Sequence, residues 1–287
     1  MNETGAEILL AVVIIAWATS LPVVRLWLGD FSTFNLICIR YGIAFILLLP
    51  VYAKRLSQIR KKTLLHGGIL GLLFFCMIAV ELWALKMTQS SSETSFLENT
   101  AIVLVPLMEA VLHRKRPENR TLFNALVTLL GVGLILMVGG SLRLDSGALL
   151  CMLCALIYAV YIIVTDRLSR SDDPLLIGVL QNGVVGLLGL AATFFFETPR
   201  MPAGGAEWGG VLFLTVVCSV LGTTLQPLAQ SRVPSERACV YCALNPLTAA
   251  ILGVAFLNEP FGLSLAVGAL LILTGIFLSS RQNAAAD

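Results

Sequence analysis

The chain has 287 residues, a mean hydropathy of +0.90, 57% apolar residues and only 13% charged ones, where a soluble domain carries roughly a quarter charged residues. That composition excludes an ordinary soluble protein. The formal net charge of +2, spread along the chain, excludes nucleic acid as a partner, since that needs a clustered basic face.

The segment Met1 to Glu7 is acidic, where a secretory signal would carry positive charge and a small-residue cleavage site. The first apolar run is therefore expected to be a retained span. Apolar runs bounded by Pro, Gly and charge clusters predict spans near 7–28, 32–52, 64–85, 94–112 and 121–140, and a second set near 147–165, 174–196, 208–230, 235–257 and 261–280. Each approaches the ~20 residues that cross a bilayer as a helix. Barrel strands would be about 10 residues long with alternating polarity, whereas Leu122 to Val138 is apolar on every face. The expected fold is all-α, an integral membrane protein of ten transmembrane helices.

With ten spans, the termini and the loops after spans 2, 4, 6 and 8 share one side. That side holds 14 of the 19 Lys and Arg residues, including Lys54, Arg60, Lys62, Arg114, Arg116, Arg170 and Arg232. The other side holds four, Arg25, Lys86, Arg143 and Arg200, and Arg40 lies inside span 2. Cytoplasmic loops are the basic ones, so both termini are expected in the cytoplasm of a cell whose inner (plasma) membrane carries the protein. Trp27, Trp83 and Trp208 fall at the opposite, outer helix ends, where indole rings favour the interface. Trp17 alone falls near mid-bilayer. The seven cysteines lie inside apolar stretches and imply no disulfide framework.

The chain aligns with itself at an offset that creeps from 141 to 144. Trp17 falls on Tyr158, Arg40-Tyr41-Gly42 on Gln181-Asn182-Gly183, Gly67-Gly68 on Gly209-Gly210, Glu93 on Glu236, Pro117 on Pro260 and Gly131 on Gly275. The expected organisation is two five-helix repeats, residues 1–142 and 143–287. Five is odd, so the second copy enters from the opposite face, and inverted repeats of this kind hold a substrate near the midplane and permit alternating access.

The run Ala238-Cys-Val-Tyr-Cys-Ala-Leu-Asn-Pro246, followed by Leu257-Asn258-Glu259-Pro260 and Gly275, resembles the EamA-type signature of the drug/metabolite transporter superfamily. The first half resembles it through Ala84-Leu85-Lys86, Ser95-Phe96-Leu97, Pro106 and Gly131-Val132. One departure is His113-Arg114-Lys115-Arg116-Pro117, where the family's first half often ends helix 4 in an acid, so that Arg116 answers Glu259. The resemblance implies a carrier whose helices 1–4 and 6–9 surround a cavity while helices 5 and 10 are peripheral. It also implies export of amino acids or other metabolites, with relatives that carry nucleotide sugars or sugar phosphates.

Charged side chains within the bilayer face a partner or a wet cavity, and four qualify: Arg40, Glu81, Glu98 and Glu109. Arg40 lies about 12 Å below the outer end of span 2, and Glu81 and Glu98 roughly 7 Å below those of spans 3 and 4, at 1.5 Å per residue. Either they hold a charged substrate or relay a proton, or they are a structural ion pair; if protons are coupled, Glu98 or Glu81 is the carrier. Glu109 stands four residues before His113, the spacing of a surface pair.

Trp17, Tyr158 and Tyr161, one turn further on, either line the cavity or pack helix 1 against helix 6. Gln181 and Asn182, Thr223 and Thr224, Tyr241 and Asn245 are the uncharged candidates of the second half. Asn245 precedes Pro246, whose ring frees a backbone carbonyl, giving a ligand or a kink. Cys151-x-x-Cys154 and Cys239-x-x-Cys242 read as small apolar residues rather than a zinc site, so no metal and no cofactor is expected. No nucleotide loop, zinc-hydrolase motif or nucleophile elbow is present, which points away from an enzyme.

The reading is a secondary transporter with a small-molecule substrate, membrane lipids as surroundings and no obligate protein partner. One buried cation, two or three carboxylates and central aromatics suit an amino acid or amine better than a sugar phosphate, which would meet several fixed cations. A lipophilic-cation exporter is the alternative. A non-transporting sensor or assembly protein is the alternative of another class.

Overall fold

The structure, a computed structural model, describes residues 2–28, 31–87, 96–136, 146–257 and 262–281. The described residues are helical, with no strand among them. Seven helices are long and apolar enough to cross a membrane: Thr33–Leu56, Lys61–Glu81, Asn119–Leu136, Ser146–Ser171, Pro174–Phe196, Gly205–Gln230 and Leu263–Arg281. Their outward faces are apolar too. Phe195 is 83% exposed and Leu263 82%, with Phe123, Leu130, Leu149 and Leu270 also standing outside. A helix that is apolar all round is at home in hydrocarbon rather than in water, so this is a membrane protein.

The chain divides into two compact units, each drawn from both ends of the sequence. Unit 1 comprises Met1–Phe75 and Val164–Arg232, and unit 2 comprises Cys76–Ile163 and Val233–Asp287. Helix α4 (Lys61–Met87) and helix α8 (Ser146–Ser171) each contribute to both.

Unit 1 contains α1 (Glu3–Ala18), the short α2 (Ser20–Val23), α3 (Thr33–Leu56), α9 (Pro174–Phe196), α10 (Gly205–Phe213) and α11 (Thr224–Gln230). Two π-helical stretches, Val24–Leu28 and Leu214–Thr223, interrupt these rods. Helices α3 and α9 pack along each other through small residues. A side chain at Gly186 would stand 2.8 Å from the backbone nitrogen of Gly42, so only glycine lets the two backbones approach, the small-residue contact expected of membrane helices. The start of α3 is held by one acid. Glu197 takes the amides of Thr33 and Phe34 on Oε1 at 3.0 and 3.1 Å and that of Asn35 on Oε2 at 2.9 Å, satisfying three otherwise orphan donors. Helix α9 starts in a self-contained way, with Asp173 accepting from Leu175 and Leu176 and Pro174 at its first position.

Unit 2 contains α5 (96–99), α6 (Ala101–Leu112), α7 (Asn119–Leu136), α12 (Ser235–Tyr241), α13 (Leu244–Leu257) and α14 (Leu263–Arg281). Helices α7 and α14 meet at paired glycines, where a side chain at Gly131 or at Gly268 would stand 2.7 Å from the other's carbonyl oxygen. A small core of Ala84, Leu97, Ala148 and Cys151 lies beneath Phe96 and Leu150.

Candidate functional site

In unit 1 the polar chemistry gathers on the π-helical stretch Leu214–Thr223. A π segment bonds i to i+5 and so withdraws carbonyls from the ordinary helical ladder, a geometry frequent at functional sites. Here the carbonyl of Cys218 accepts the Trp17 indole N–H at 2.9 Å and the Thr223 hydroxyl at 3.3 Å. Gly222 makes room for the indole, because a side chain there would run into the Trp17 ring. The Cys218 thiol donates in turn to the Ala16 carbonyl at 3.3 Å, and Thr19 donates to the same carbonyl at 2.6 Å.

Arg40 reaches the same stretch from α3. Its Nε donates to Ser219 Oγ at 2.7 Å, and its guanidinium carbon stands 4.9 Å from the centre of the Tyr41 ring. Tyr41 is itself buried and meets Phe74 edge-on at 6.0 Å. Phe74 also lies 5.8 Å from Trp17. Among the described residues of unit 1, no carboxylate forms an ion pair with Arg40. The guanidinium is thus oriented through one nitrogen, while its terminal fork remains available for a planar anion. Gln181, expected from the sequence as the counterpart of Arg40, is completely buried in α9. Its neighbour Asn182 donates to Gly178 O at 2.9 Å and to Thr224 Oγ1 at 3.0 Å.

Unit 2 holds the acids. Glu98 stands on α5 and Glu81 on α4, and the two carboxyl groups are electrostatic neighbours. The Cys154 thiol donates to the Met77 carbonyl at 3.6 Å and is an electrostatic neighbour of both acids. Glu98 Oε1 is buried and has no hydrogen-bond partner, an unsatisfied acceptor that calls for an explanation. One turn along α8, the Tyr158 hydroxyl meets the Cys242 thiol at 3.0 Å, and the Tyr158 and Tyr161 rings stack 6.4 Å apart. Tyr161 and Tyr241 are buried, whereas Asn245 is exposed.

At the far end of α6, the expected pair of Glu109 and His113 is present at 3.1 Å. It is more than a surface pair. Glu109 is only 7% exposed and accepts the Ser235 hydroxyl at 2.8 Å, tying α6 to α12. Among the described residues, no group of three or more His, Cys, Asp or Glu is arranged to hold a metal. Ser95 and the Asn258-Glu259-Pro260 run, with the partner expected for Arg116, lie outside the described residues.

The profile of the EamA-like transporter family matches residues 4–137 and 145–281, nearly the whole chain. This chain belongs to the EamA-like transporter family. An uncharacterized transporter of Archaeoglobus fulgidus is 27% identical over 290 residues, covering 98% of this chain and 99% of its own length. The threonine/homoserine exporter RhtA of Salmonella typhimurium is 28% identical over 161 residues, 54% of this chain and 52% of that protein. A crystal structure superposes with a TM-score of 0.82 over 96% of this chain and 98% of its own, at 21% identity, a likeness of fold.

Ser219, Cys218 and Phe74 were not among the residues predicted from sequence. Within this EamA-family chain, the stretch Leu-Thr-Val-Val-Cys-Ser-Val-Leu-Gly-Thr from 214 to 223 reads as any apolar helix. Only Gly222 signals a close approach.

Proposed function

We propose that this EamA-family protein is a secondary transporter that exports amino acids or related amines across the inner membrane by alternating access. In this reading it has ten spans arranged as the inverted repeats 1–142 and 143–287, with both termini in the cytoplasm. The helical segments 3–28, 96–112 and 235–257, shorter or more interrupted than the seven long ones, supply the remaining crossings. The 14 to 4 division of basic residues supports the orientation. Reporters fused after residues 62 and 118 and at the C-terminus are expected in the cytoplasm, and one after residue 203 outside. An outward C-terminus refutes the ten-span count.

The observation that carries the substrate reading is Arg40. A guanidinium in a membrane protein, held by Ser219 and Tyr41 and given no carboxylate by its own unit, is an arrangement suited to one carboxylate of a small ligand. A nucleotide sugar or sugar phosphate would ask for several cations. Glu98 and Glu81 are the candidate partners for an amine or for a coupled proton, and Trp17, Tyr158, Tyr161 and Tyr241 the candidate apolar contacts. The name of the threonine/homoserine exporter among the relatives fits the same class.

The test is counterflow of threonine, homoserine and a panel of amines in liposomes holding only the purified protein. Saturable flux of at least one amino acid is expected. Flux of sugar phosphates alone, or of none of these, overturns the reading. The orphan Glu98 oxygen favours a lipophilic cation as the second reading, and the same panel separates the two.

A further inference from the structure

Unit 1 has a polar cavity away from Arg40, at the basic end of its helices. It is about 390 Å³ and is lined by Ser169 and Arg170 from the end of α8, Asp172 and Pro174 from the turn into α9, and Leu228, Ser231 and Arg232 from the end of α11. The transport site described above uses none of these residues. The space exceeds ten times the ~30 Å³ share of one water in the liquid.

The fold's own bonding leaves three donors uncommitted there. Arg232 is exposed and, among the described residues, makes no side-chain hydrogen bond or ion pair. Arg170 gives its Nε to Asp166 one turn back, which orients the guanidinium and leaves the terminal nitrogens. Ser169 is 2% exposed and its hydroxyl has no partner, an omission that is uncommon for a buried polar atom. The acid in the wall is engaged through one oxygen and faces an imidazole with the other: Asp172 Oδ1 accepts from Thr63 Oγ1 and from the Asp173 amide, both at 2.9 Å, while Oδ2 lies 3.3 Å from His66 Nδ1 without a hydrogen bond. Ser231 spends its hydroxyl on Leu228 O at 2.7 Å.

We infer that this cavity binds a phosphate group, with Arg170 and Arg232 gripping its oxygens and Ser169 completing the site. Two guanidiniums and a hydroxyl are the donor set that phosphate oxygens favour. Leu228 and Pro174 give the same cavity an apolar flank, which a free phosphate does not use and the glycerol and acyl portion of a phospholipid does. The neighbouring Arg55, Arg60 and Lys61 mark this as the end of the unit that meets headgroups, and basic pockets between helices on that face recognise anionic lipids. The favoured source is therefore an anionic phospholipid. The inference needs only that the chain lies in a bilayer, and stands apart from the choice of transported substrate.

The test uses the full chain in an uncharged detergent at fixed ionic strength, with thermal unfolding followed against dihexanoyl-phosphatidylglycerol and, separately, inorganic phosphate. A ligand that binds only the folded state raises apparent stability with its concentration. Phosphatidylglycerol is expected to give a saturable rise, inorganic phosphate a weaker one, and Arg232→Gln is expected to weaken the apparent affinity about tenfold, the loss of one charge-assisted bond. The Arg232 side chain bonds nothing among the described residues, so that variant should be as stable as the parent without ligand. Equal saturation by inorganic phosphate with the same dependence on Arg232 supports the site and assigns it to the free ion. No saturable rise with either ligand, or a rise unchanged in both Arg232→Gln and Ser169→Ala, overturns it.

Discussion

The two units solve the problem of polar groups in an apolar chain in opposite ways. Unit 1 holds a cation against a π-helical stretch: Arg40 is fastened to Ser219 and shelved on Tyr41, and the carbonyl of Cys218, next to Ser219 in the chain, takes the Trp17 indole. Unit 2 places acids beside thiols and phenols: Glu98 with Glu81 and Cys154, Tyr158 with Cys242. The cation is held by one short hydrogen bond and a ring contact, whereas Glu98 keeps one buried oxygen without a hydrogen-bond partner. A thiol is a weak donor. In the proposed transport reading, unit 1 offers an oriented donor to an anionic group, and unit 2 holds an acceptor that a proton, a water or a ligand would satisfy.

The largest expected effect comes from breaking the ordered side of that comparison. Arg40→Lys keeps the charge but cannot donate from an Nε to Ser219 while offering a planar fork, so it separates charge from geometry. Loss of one charge-assisted hydrogen bond is worth about 1.5–3 kcal/mol, which corresponds to amino-acid affinity falling by roughly ten- to a hundredfold with the protein still monodisperse in detergent. Wild-type counterflow in Arg40→Lys would show that Arg40 contributes only charge, and wild-type counterflow in Arg40→Gln as well would remove it from the site.

A smaller effect is expected on the unsatisfied side. Glu98→Gln preserves size and supplies its own donor while removing the charge, so the fold should survive. If Glu98 exchanges a proton for substrate, an inwardly directed proton gradient accelerates export by the parent protein and leaves the variant indifferent. Flux and pH dependence equal to the parent would reduce the orphan oxygen to scaffolding. Glu81→Gln in the same assay tells which of the neighbouring carboxyls carries the proton.

Much of the scaffold was legible because a spanning helix must be apolar along its whole length, and this constraint shows in composition without any partner being known. Trp17 and Arg40 stood out for the same reason, as exceptions to it. What they touch was not legible. The Trp17 acceptor lies 201 residues away and the Arg40 acceptor 179, and both sit in a π segment whose register leaves no trace in residue type. Glu109 shows the limit from the other side: its spacing to His113 explains one bond correctly and conceals the buried one to Ser235. Glu197, one residue beyond the span expected at 174–196, holds the start of a helix whose first turn lies 162 to 164 residues earlier.

That last residue gives the smallest prediction and a control for the others, because it belongs to unit 1 and takes no part in its site. Glu197 joins three first-turn amides of α3, and a carboxylate at a helix N-terminus gains from both the bonds and the dipole. Replacing it with alanine leaves three amides without their acceptor at a helix start where Phe34 and Asn35 are buried, so the expected cost is about 2 kcal/mol of stability, the upper end for a lost cap. Glu197→Gln should recover part of it, since one amide oxygen still accepts but the charge is gone. The Arg40 site is carried further along the same helix and depends on the contact of α3 with the π segment, so amino-acid affinity should be unchanged below the unfolding transition. Thermal unfolding and counterflow measured on the same preparations check both halves. An affinity loss in Glu197→Ala as large as that of Arg40→Lys would mean that the site is set by where α3 begins and not by the bond to Ser219.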